Sequence, residues 1–190
     1  MPTFRYELED KSIMEKIKER NFFAFRDFDV EKLNTELKKR HQYLIVKLHP
    51  YEMRLFANFK SSYSNIAFMN NDYLFDHNYD LYELLGDTDF LMTDFSSIYF
   101  DYLHLNKPIV FVTNFLEQYE KTRGLLMGPY AEITPGICVN SEDELIRNLD
   151  QLDNQQIANR RLYWLHLTNQ VHGDSYCENV FKYMTQEYRG

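Results

Sequence analysis

The segment Asp89–Asp101, D-F-L-M-T-D-F-S-S-I-Y-F-D, constrains the fold of this chain more than any other. Its apolar run, Phe90–Met92, predicts a buried strand, and a short polar turn follows directly. A helix is predicted next, because Ile98, Tyr102 and Leu105 recur at the spacing of one helical face. A buried strand that passes through a short turn into a helix is typical of α/β proteins.

The turn contains side chains that suit an anion. Thr93, Asp94, Ser96 and Ser97 lie between the predicted strand and helix. The first N–H groups of a helix have no backbone partner, and the helix dipole favours negative charge there. Because the serine hydroxyls add two donors, the turn predicts a phosphate site. The alternative is that Ser96 or Ser97 only caps the helix.

The rest of the chain alternates strands with helices. Further apolar runs predict strands at residues 43–48, 65–69, 108–112 and 137–139. Amphipathic segments and capping residues predict helices at residues 13–20, 29–40, 51–60, 80–85, 142–152, 154–168 and 175–188. The helix over residues 80–85 is predicted to stop at Gly86. This alternation predicts a Rossmann-like, three-layer α/β/α domain with a parallel sheet.

Composition narrows the class of protein. The chain has 190 residues and a net charge of −8, which argues against nucleic acid and against simple adhesion to anionic lipid. No apolar run approaches the roughly 18 residues of a membrane span. Cys138 and Cys177 lack metal-ligand spacing, which favours free thiols in a reducing, cytoplasmic setting.

Two basic side chains follow predicted strand ends. His49 comes after the strand over residues 43–48, and Pro50 ends that strand cleanly. Arg5 ends the segment Pro2–Arg5, which resembles the tail of a strand whose apolar body is absent. The whole chain, residues 1–190, is therefore predicted to be one nucleotide-binding domain excised from a longer protein. An imidazole and a guanidinium both bind phosphate oxygens. Taken alone, however, Arg5 is better explained as a surface arginine, and His49 as a solvent-facing or core-satisfied histidine.

A D-x-D pattern, Asp87-Thr88-Asp89, has the form that binds metal in one class of glycosyltransferases. It precedes its strand, at the edge of the sheet away from the phosphate turn. We therefore interpret Asp87 as a loop or turn residue and predict no metal site.

Taken in order, these segments resemble the C-terminal half of the CDP-glycerol glycerophosphotransferases, the teichoic acid polymerases and their capsule-making relatives. The L-H-P and T-D-F-S-S-I-Y-F-D-Y blocks are specific at this spacing. The matching segments are P-T-F-R (2–5), F-D-V-E-K-L (28–33), K-L-H-P (47–50), D-L-Y-E-L-L (80–85), D-F-L-M-T-D-F-S-S-I-Y-F-D-Y (89–102), N-K-P-I-V-F (106–111), R-G (123–124), P-G-I-C-V (135–139) and S-E-D-E-L-I (141–146).

The resemblance implies a GT-B-like architecture in which this half holds the CDP part of the donor. It implies that Arg5, His49, Ser96 and Ser97 lie close to the donor's pyrophosphate, with Asp94 nearby, and that His49 is catalytic. It also implies a reaction without metal or cofactor: a hydroxyl of a lipid-linked chain attacks the β-phosphorus of CDP-glycerol, and CMP leaves. The full-length protein is then expected to be peripheral at the inner face of the cell membrane, with the acceptor held by the other half.

Some alternatives stay open. The family tends to show Asp-Gly near its C-terminus, whereas this chain has Gly173-Asp174. A related donor such as CDP-ribitol is compatible with every segment quoted. A UDP- or GDP-sugar glycosyltransferase would share the fold, and a non-catalytic nucleotide-binding module would share the site. A response-regulator receiver fits less well, because Lys107-Pro108 precedes a strand here instead of following one.

Overall fold

Short strands, all paired in parallel, form the centre of the protein. The computed structural model describes residues 15, 21–53, 63–125, 127–169 and 175–187. The strands are β1 (Leu44–Val46), β2 (Ile66–Phe68), β3 (Leu91–Thr93), β4 (Ile109–Val112) and β5 (Ile137–Val139). Strands β1 and β2 form one pair, and β3, β4 and β5 form a sheet in that order. In register, Leu44 lies beside Ile66, and Met92 lies beside Val110.

Helices precede and follow these strands along the chain, as the alternating sequence pattern predicts. A single turn of 3₁₀ helix, Leu103–Leu105, directly follows the helix that ends at Tyr102. The helices within the described residues are α1 (Val30–Lys39), α2 (Pro50–Met53), α3 (Asn71–Asp76), α4 (Leu81–Asp87), α5 (Ile98–Tyr102), α6 (Leu116–Thr122), α7 (Tyr130–Ile133), α8 (Glu142–Asn148), α9 (Gln155–Thr168) and α10 (Tyr176–Glu187).

Side-chain caps fix where several helices begin. The carboxylate of Asp29 accepts hydrogen bonds from two N–H groups in the first turn of α1. Asp80 and Glu83 form a reciprocal capping box at the start of α4. The hydroxyl of Ser141 accepts a hydrogen bond from the Glu144 N–H at the start of α8. Each cap satisfies N–H groups that the helix itself leaves without a partner, so these starts are encoded locally.

The side chains of β4 alternate between two hydrophobic clusters. Val110 and Val112 pack with the apolar residues of α1 and α8, while Ile109 and Phe111 pack with those of α4, α5 and α7. Because successive side chains of a strand point to opposite faces, helices cover both faces of the sheet. The predicted three-layer α/β/α arrangement is therefore confirmed.

A buried arginine fastens α9 to this framework. The guanidinium of Arg161 is 1% exposed and donates to both carboxylate oxygens of Asp153, at 2.9 and 2.7 Å. It also donates to the side chain and the carbonyl of Asn106. Arg161 holds the pKa of Asp153 below its ordinary value. The charge is thus buried with its partners in place, as a buried ion requires.

Three expectations are corrected by the structure. Gly86 does not stop α4, which continues to Asp87 and has Thr88 as its C-cap. Leu105 does not extend the buried face of α5, because the helix tightens into 3₁₀ geometry and leaves Leu105 38% exposed. The strands form two hydrogen-bonded groups where one sheet was predicted. The predicted strand tail Pro2–Arg5 lies outside the described residues.

None of the helices within the described ranges is both long and apolar enough to cross a membrane.

Candidate functional site

His49 lies at the junction between β1 and α2. Its carbonyl accepts hydrogen bonds from the N–H groups of Glu52 and Met53, at 2.9 and 3.0 Å. Pro50 occupies the first position of α2, where a missing N–H costs nothing and a fixed φ suits the helix. The His49 side chain is half-buried. The L-H-P sequence therefore places His49 between the end of β1 and the start of α2.

The turn after β3 combines buried and accessible polar groups. Thr93 and Asp94 are each 2% exposed, Ser96 is half-buried and Ser97 is exposed. Ser97 occupies the N-cap position of α5 but makes no side-chain capping hydrogen bond. The capping explanation of Ser97 is therefore not supported, and its hydroxyl remains available to a ligand. Ser141, by contrast, does cap its helix.

The helix that follows the turn is shorter than the sequence suggested. Helix α5 has five residues before it tightens into the 3₁₀ turn. Aligned peptide dipoles add along a helix, so a five-residue helix contributes little field at its first turn. The predicted binding of an anion at this turn therefore depends on its hydroxyl groups more than on the helix dipole.

Aromatic side chains brace this turn. The ring of Phe95 stacks on Tyr119, with centroids 4.4 Å apart, and meets Phe115 edge-on. The hydroxyl of Tyr130 donates to the carbonyl of Asp94 at 2.8 Å. Burial raises the pKa of Tyr130, and the nearby charge of Asp94 adds to this effect. Tyr130 therefore stays a neutral donor and holds the turn in place.

One cavity of about 340 Å³ borders both loops. Lys47 and Leu48, directly before His49, line it together with Thr93 and Asp94 of the turn after β3. Residues of β1 and β3 form much of its wall. The segments that carry the predicted site residues therefore start from the rim of a shared cavity.

Lys47 and Tyr130 are the residues that sequence reasoning missed. Lys47 is only 7% exposed, and burial lowers the pKa of its ammonium group. Its position at the carboxyl end of β1, inside the K-L-H-P block, is a signal that could have singled it out. Tyr130 has no comparable signal, because it reaches Asp94 across 36 positions of the sequence.

Most of the predicted site residues lie in loops that directly follow strands. The structure places His49 after β1, and Asp94, Ser96 and Ser97 after β3, as the sequence indicated. Arg5 lies outside the described residues, as does Gly173-Asp174. The convergence of these side chains on one bound phosphate stays a prediction.

The first aspartate of the D-x-D pattern belongs to a helix and makes a hydrogen bond within the fold. Asp87 is the last residue of α4, not the turn residue that was predicted, and its carboxylate accepts a hydrogen bond from the hydroxyl of Tyr79. Within the described ranges, no three histidine, cysteine, aspartate or glutamate side chains are grouped so that they could hold a metal ion.

Comparison with known proteins identifies the family. The sequence profile of the CDP-Glycerol:Poly(glycerophosphate) glycerophosphotransferases matches residues 1–178. The chain belongs to this family. It is 37% identical over 135 residues to the teichoic acid glycerol-phosphate primase of Bacillus subtilis (strain 168), covering 66% of this chain and 33% of the primase. It is 30% identical over 142 residues to the teichoic acid ribitol-phosphate polymerase TarL of Staphylococcus aureus (strain NCTC 8325 / PS 47), covering 74% of this chain and 23% of TarL.

Solved structures agree with this assignment. The structure of the wall teichoic acid polymerase TagF matches with a TM-score of 0.59 and 25% identity, over 86% of this chain and 36% of TagF. The fold is thus α/β, Rossmann-like and of the GT-B type. The chain spans about a third or less of the length of the primase and of TarL.

Proposed function

We propose that this chain is the donor-binding domain of a phosphoalditol transferase. It binds CDP-glycerol or a related CDP-alditol, so that the phosphoalditol unit is transferred to a growing teichoic acid or capsular polymer. The observation that carries the proposal is the family match over residues 1–178. The hydroxyl-rich turn after β3 and the basic residues after β1 support it.

The proposed reaction is a displacement at phosphorus. A hydroxyl oxygen at the end of a lipid-linked polymer forms a new bond to the β-phosphorus. The bond from that phosphorus to the bridging oxygen breaks, and CMP leaves with the electron pair. The hydroxyl proton passes to a base that we assign to another part of a longer protein, together with the acceptor and the membrane surface.

The residues of this chain then act on the leaving group. Negative charge develops on CMP as the bond breaks, and nearby donors that are already in place stabilise it. We assign this role to His49, as the catalytic residue, and to Arg5. Ser96 and Ser97 donate to the pyrophosphate, and Asp94 fixes the shape of the turn. Because the chain carries a net charge of −8, the anionic donor must be held by such local groups.

The proposal covers more than one alditol as the group carried by the donor. The relatives include one named as a glycerol-phosphate primase and one named as a ribitol-phosphate polymerase. Both names describe a phosphoalditol, which supports a CDP-alditol over a nucleotide sugar. Direct comparison of CDP-glycerol, CDP-ribitol and a UDP-sugar as ligands separates these cases.

Calorimetric titration with CDP-glycerol tests the proposal. The Ser96→Ala/Ser97→Ala double variant should lose affinity while keeping its thermal stability, since Ser97 makes no capping bond. A lost hydrogen bond to a charged group is worth about 1.5–3 kcal/mol. Ser141→Ala is the matched control, because Ser141 caps α8 and should lose about 1 kcal/mol of stability without losing affinity. Equal affinities for the double variant and the unchanged protein would reject the turn as the phosphate site.

Substitution of His49 tests its role in the same titration. An imidazole can donate a hydrogen bond to a phosphate oxygen, so His49→Ala should weaken the binding of CDP-glycerol. His49→Gln keeps a hydrogen-bond donor and should therefore retain part of the affinity. Equal affinities for His49→Ala and the unchanged protein would remove His49 as a ligand of phosphate.

A further inference from the structure

Two side chains of α9 donate hydrogen bonds to the end of α7. The Nη2 atom of Arg160 lies 3.0 Å from the carbonyl oxygen of Ala131 and 3.3 Å from that of Glu132. It also lies 3.2 Å from the carbonyl oxygen of Thr134. One turn later in α9, the indole N–H of Trp164 donates to the carbonyl of Glu132 at 3.1 Å. These contacts join α9 to a segment that lies 26 to 32 positions earlier in the chain.

Helix α7 is too short to hold its own geometry. It has four residues, Tyr130–Ile133, and short isolated helices are marginal in water. The last carbonyl groups of a helix have no partner within it, so their donors must come from elsewhere. The hydroxyl of Thr134 supplies one donor, to the carbonyl of Tyr130 at 3.0 Å. Because Arg160 and Trp164 supply others, the position of α7 is set in part by α9.

The first residue of α7, Tyr130, contacts the turn after β3 in two ways. Its hydroxyl donates to the carbonyl of Asp94 at 2.8 Å, and its ring meets the ring of Phe95 with centroids 5.1 Å apart. A tyrosine side chain has only two χ angles, so the position of its hydroxyl closely follows the backbone of α7. A shift of α7 would therefore reach the turn that carries Ser96 and Ser97.

The neighbouring arginine shows why α9 can serve as a support. The buried guanidinium of Arg161 contacts Asp153 and Asn106, which belong neither to α7 nor to the turn after β3. Arg161 therefore anchors α9 itself, while Arg160 extends from the anchored helix to α7. A side chain is held precisely when the residues that support it are themselves fixed.

We propose that Arg160 and Trp164 are positioning residues for the turn after β3, and that they act through Tyr130. The contacts run from α9 to the carbonyl groups of α7, and from Tyr130 to the carbonyl of Asp94. Their effect on ligand binding rests on the proposed function, in which the serine hydroxyls of this turn donate to the pyrophosphate. Their effect on the turn itself is a property of the protein without nucleotide.

Amide hydrogen exchange at Phe100 tests the proposal without any nucleotide. The Phe100 N–H donates to the carbonyl of Ser97, so its exchange reports how firmly the end of the turn is held. Arg160→Met should speed this exchange by about tenfold, as expected when hydrogen bonds from a charged group are lost. Exchange at Leu91, whose N–H donates to Pro108, should not change. Unchanged exchange at Phe100, or an equal increase at Leu91, would overturn the proposal.

A double-mutant cycle tests whether Arg160 acts through Tyr130. If it does, exchange at Phe100 in Arg160→Met/Tyr130→Phe should be no faster than in Tyr130→Phe alone. Rate increases that multiply would show two independent effects and would overturn the proposed route. Arg160→Lys should restore part of the protection, because an ammonium group also donates hydrogen bonds. Arg147→Met is the matched control, because Arg147 is an exposed arginine in the last turn of α8, and it should leave exchange at Phe100 unchanged.

Trp164→Phe keeps the test decisive if Arg160→Met does not fold. It retains an aromatic ring and removes only the indole N–H. Loss of one neutral hydrogen bond should speed exchange at Phe100 by about threefold. An unchanged rate in this variant would then overturn the proposal.

Calorimetric titration with CDP-glycerol adds the functional measurement. Arg160→Met should bind about threefold to tenfold more weakly than the unchanged protein, whereas Arg147→Met should bind equally well. Faster exchange at Phe100 together with unchanged affinity would overturn the positioning role. If the unchanged protein does not bind CDP-glycerol, the proposed function fails, and the exchange rates alone decide whether α9 holds the turn.

Discussion

The two sheets of this protein differ in how completely they are covered. All four side chains of β4 are buried, and so are all three of β3. In β1, by contrast, Ile45 is 39% exposed, and Tyr43 just before it is 72% exposed. Parallel strands are stable when both faces are covered. The comparison shows that β3 and β4 of the three-stranded sheet are covered on both faces, whereas β1 of the two-stranded sheet is partly exposed on one face.

This difference bears on function, because the candidate site draws on both sheets. Asp94, Ser96 and Ser97 follow a strand of the covered sheet, and His49 follows a strand of the less covered one. A binding group is held precisely only when its supporting element is rigid. Because the side chains of β3 and β4 are buried, we expect substitutions in the three-stranded sheet to lower the free energy of unfolding more than substitutions in β1 do.

Two glycines give the sharpest contrast between a packed and an open position. A Cβ atom on Gly136, before β5, would overlap the carbonyl oxygen of Ile109 and lie 2.9 Å from the Phe111 ring. Gly136→Ala should therefore cost about 4 kcal/mol or prevent folding. Gly86→Ala, in α4, meets nothing within 4 Å and should gain about 0.5–1 kcal/mol. Urea denaturation measures both, and similar effects at the two sites would refute the close packing around β5.

Replacing one isoleucine by alanine in each sheet measures the difference in burial between the two sheets. Ile109, in β4, is 0% exposed, and Ile45, in β1, is 39% exposed. Ile109→Ala should cost about 3 kcal/mol, because it removes buried methyl groups and leaves a cavity. Ile45→Ala should cost less than about 1 kcal/mol. Equal losses in urea denaturation would show that β1 is as well covered as β4.

The sequence predicted the covered sheet better than its surroundings. The runs at residues 90–92 and 108–112 are continuously apolar, so their strands were found within one residue. Caps such as Asp80 and Ser141 act within four residues and were equally readable. The division into two sheets was not predictable, because pairing depends on contacts between distant segments. The role of Tyr130 was not predictable for the same reason, because its partner in the candidate site, Asp94, is 36 positions away.

Two buried tyrosines next to the three-stranded sheet differ in whether the hydroxyl makes a hydrogen bond. The Tyr130 hydroxyl donates to the Asp94 carbonyl, whereas the Tyr99 hydroxyl is buried without a hydrogen-bond partner among the described residues. Tyr130→Phe should cost about 1–2 kcal/mol and weaken binding of CDP-glycerol, because the turn loses its brace. Tyr99→Phe should be neutral or slightly stabilising. Thermal denaturation with parallel titration checks both, and an unchanged Tyr130→Phe variant would rule out the brace.

The smallest effect is expected at Lys47, on the less covered side. Burial lowers the pKa of Lys47 below its ordinary 10.5, so the unfolded chain binds that proton more tightly than the folded protein does. At pH 7–8 the folded protein carries the cost of a buried ammonium, and this cost disappears as the pH rises to 10.5. Lys47→Met should therefore be more stable by up to about 1 kcal/mol near pH 7, with the advantage shrinking toward pH 10.5. Lys121→Met, at a position 77% exposed, should show no such trend in urea denaturation. A constant advantage for Lys47→Met across this range would mean that the gain comes from packing, and that Lys47 is not held as a buried charge beside the cavity.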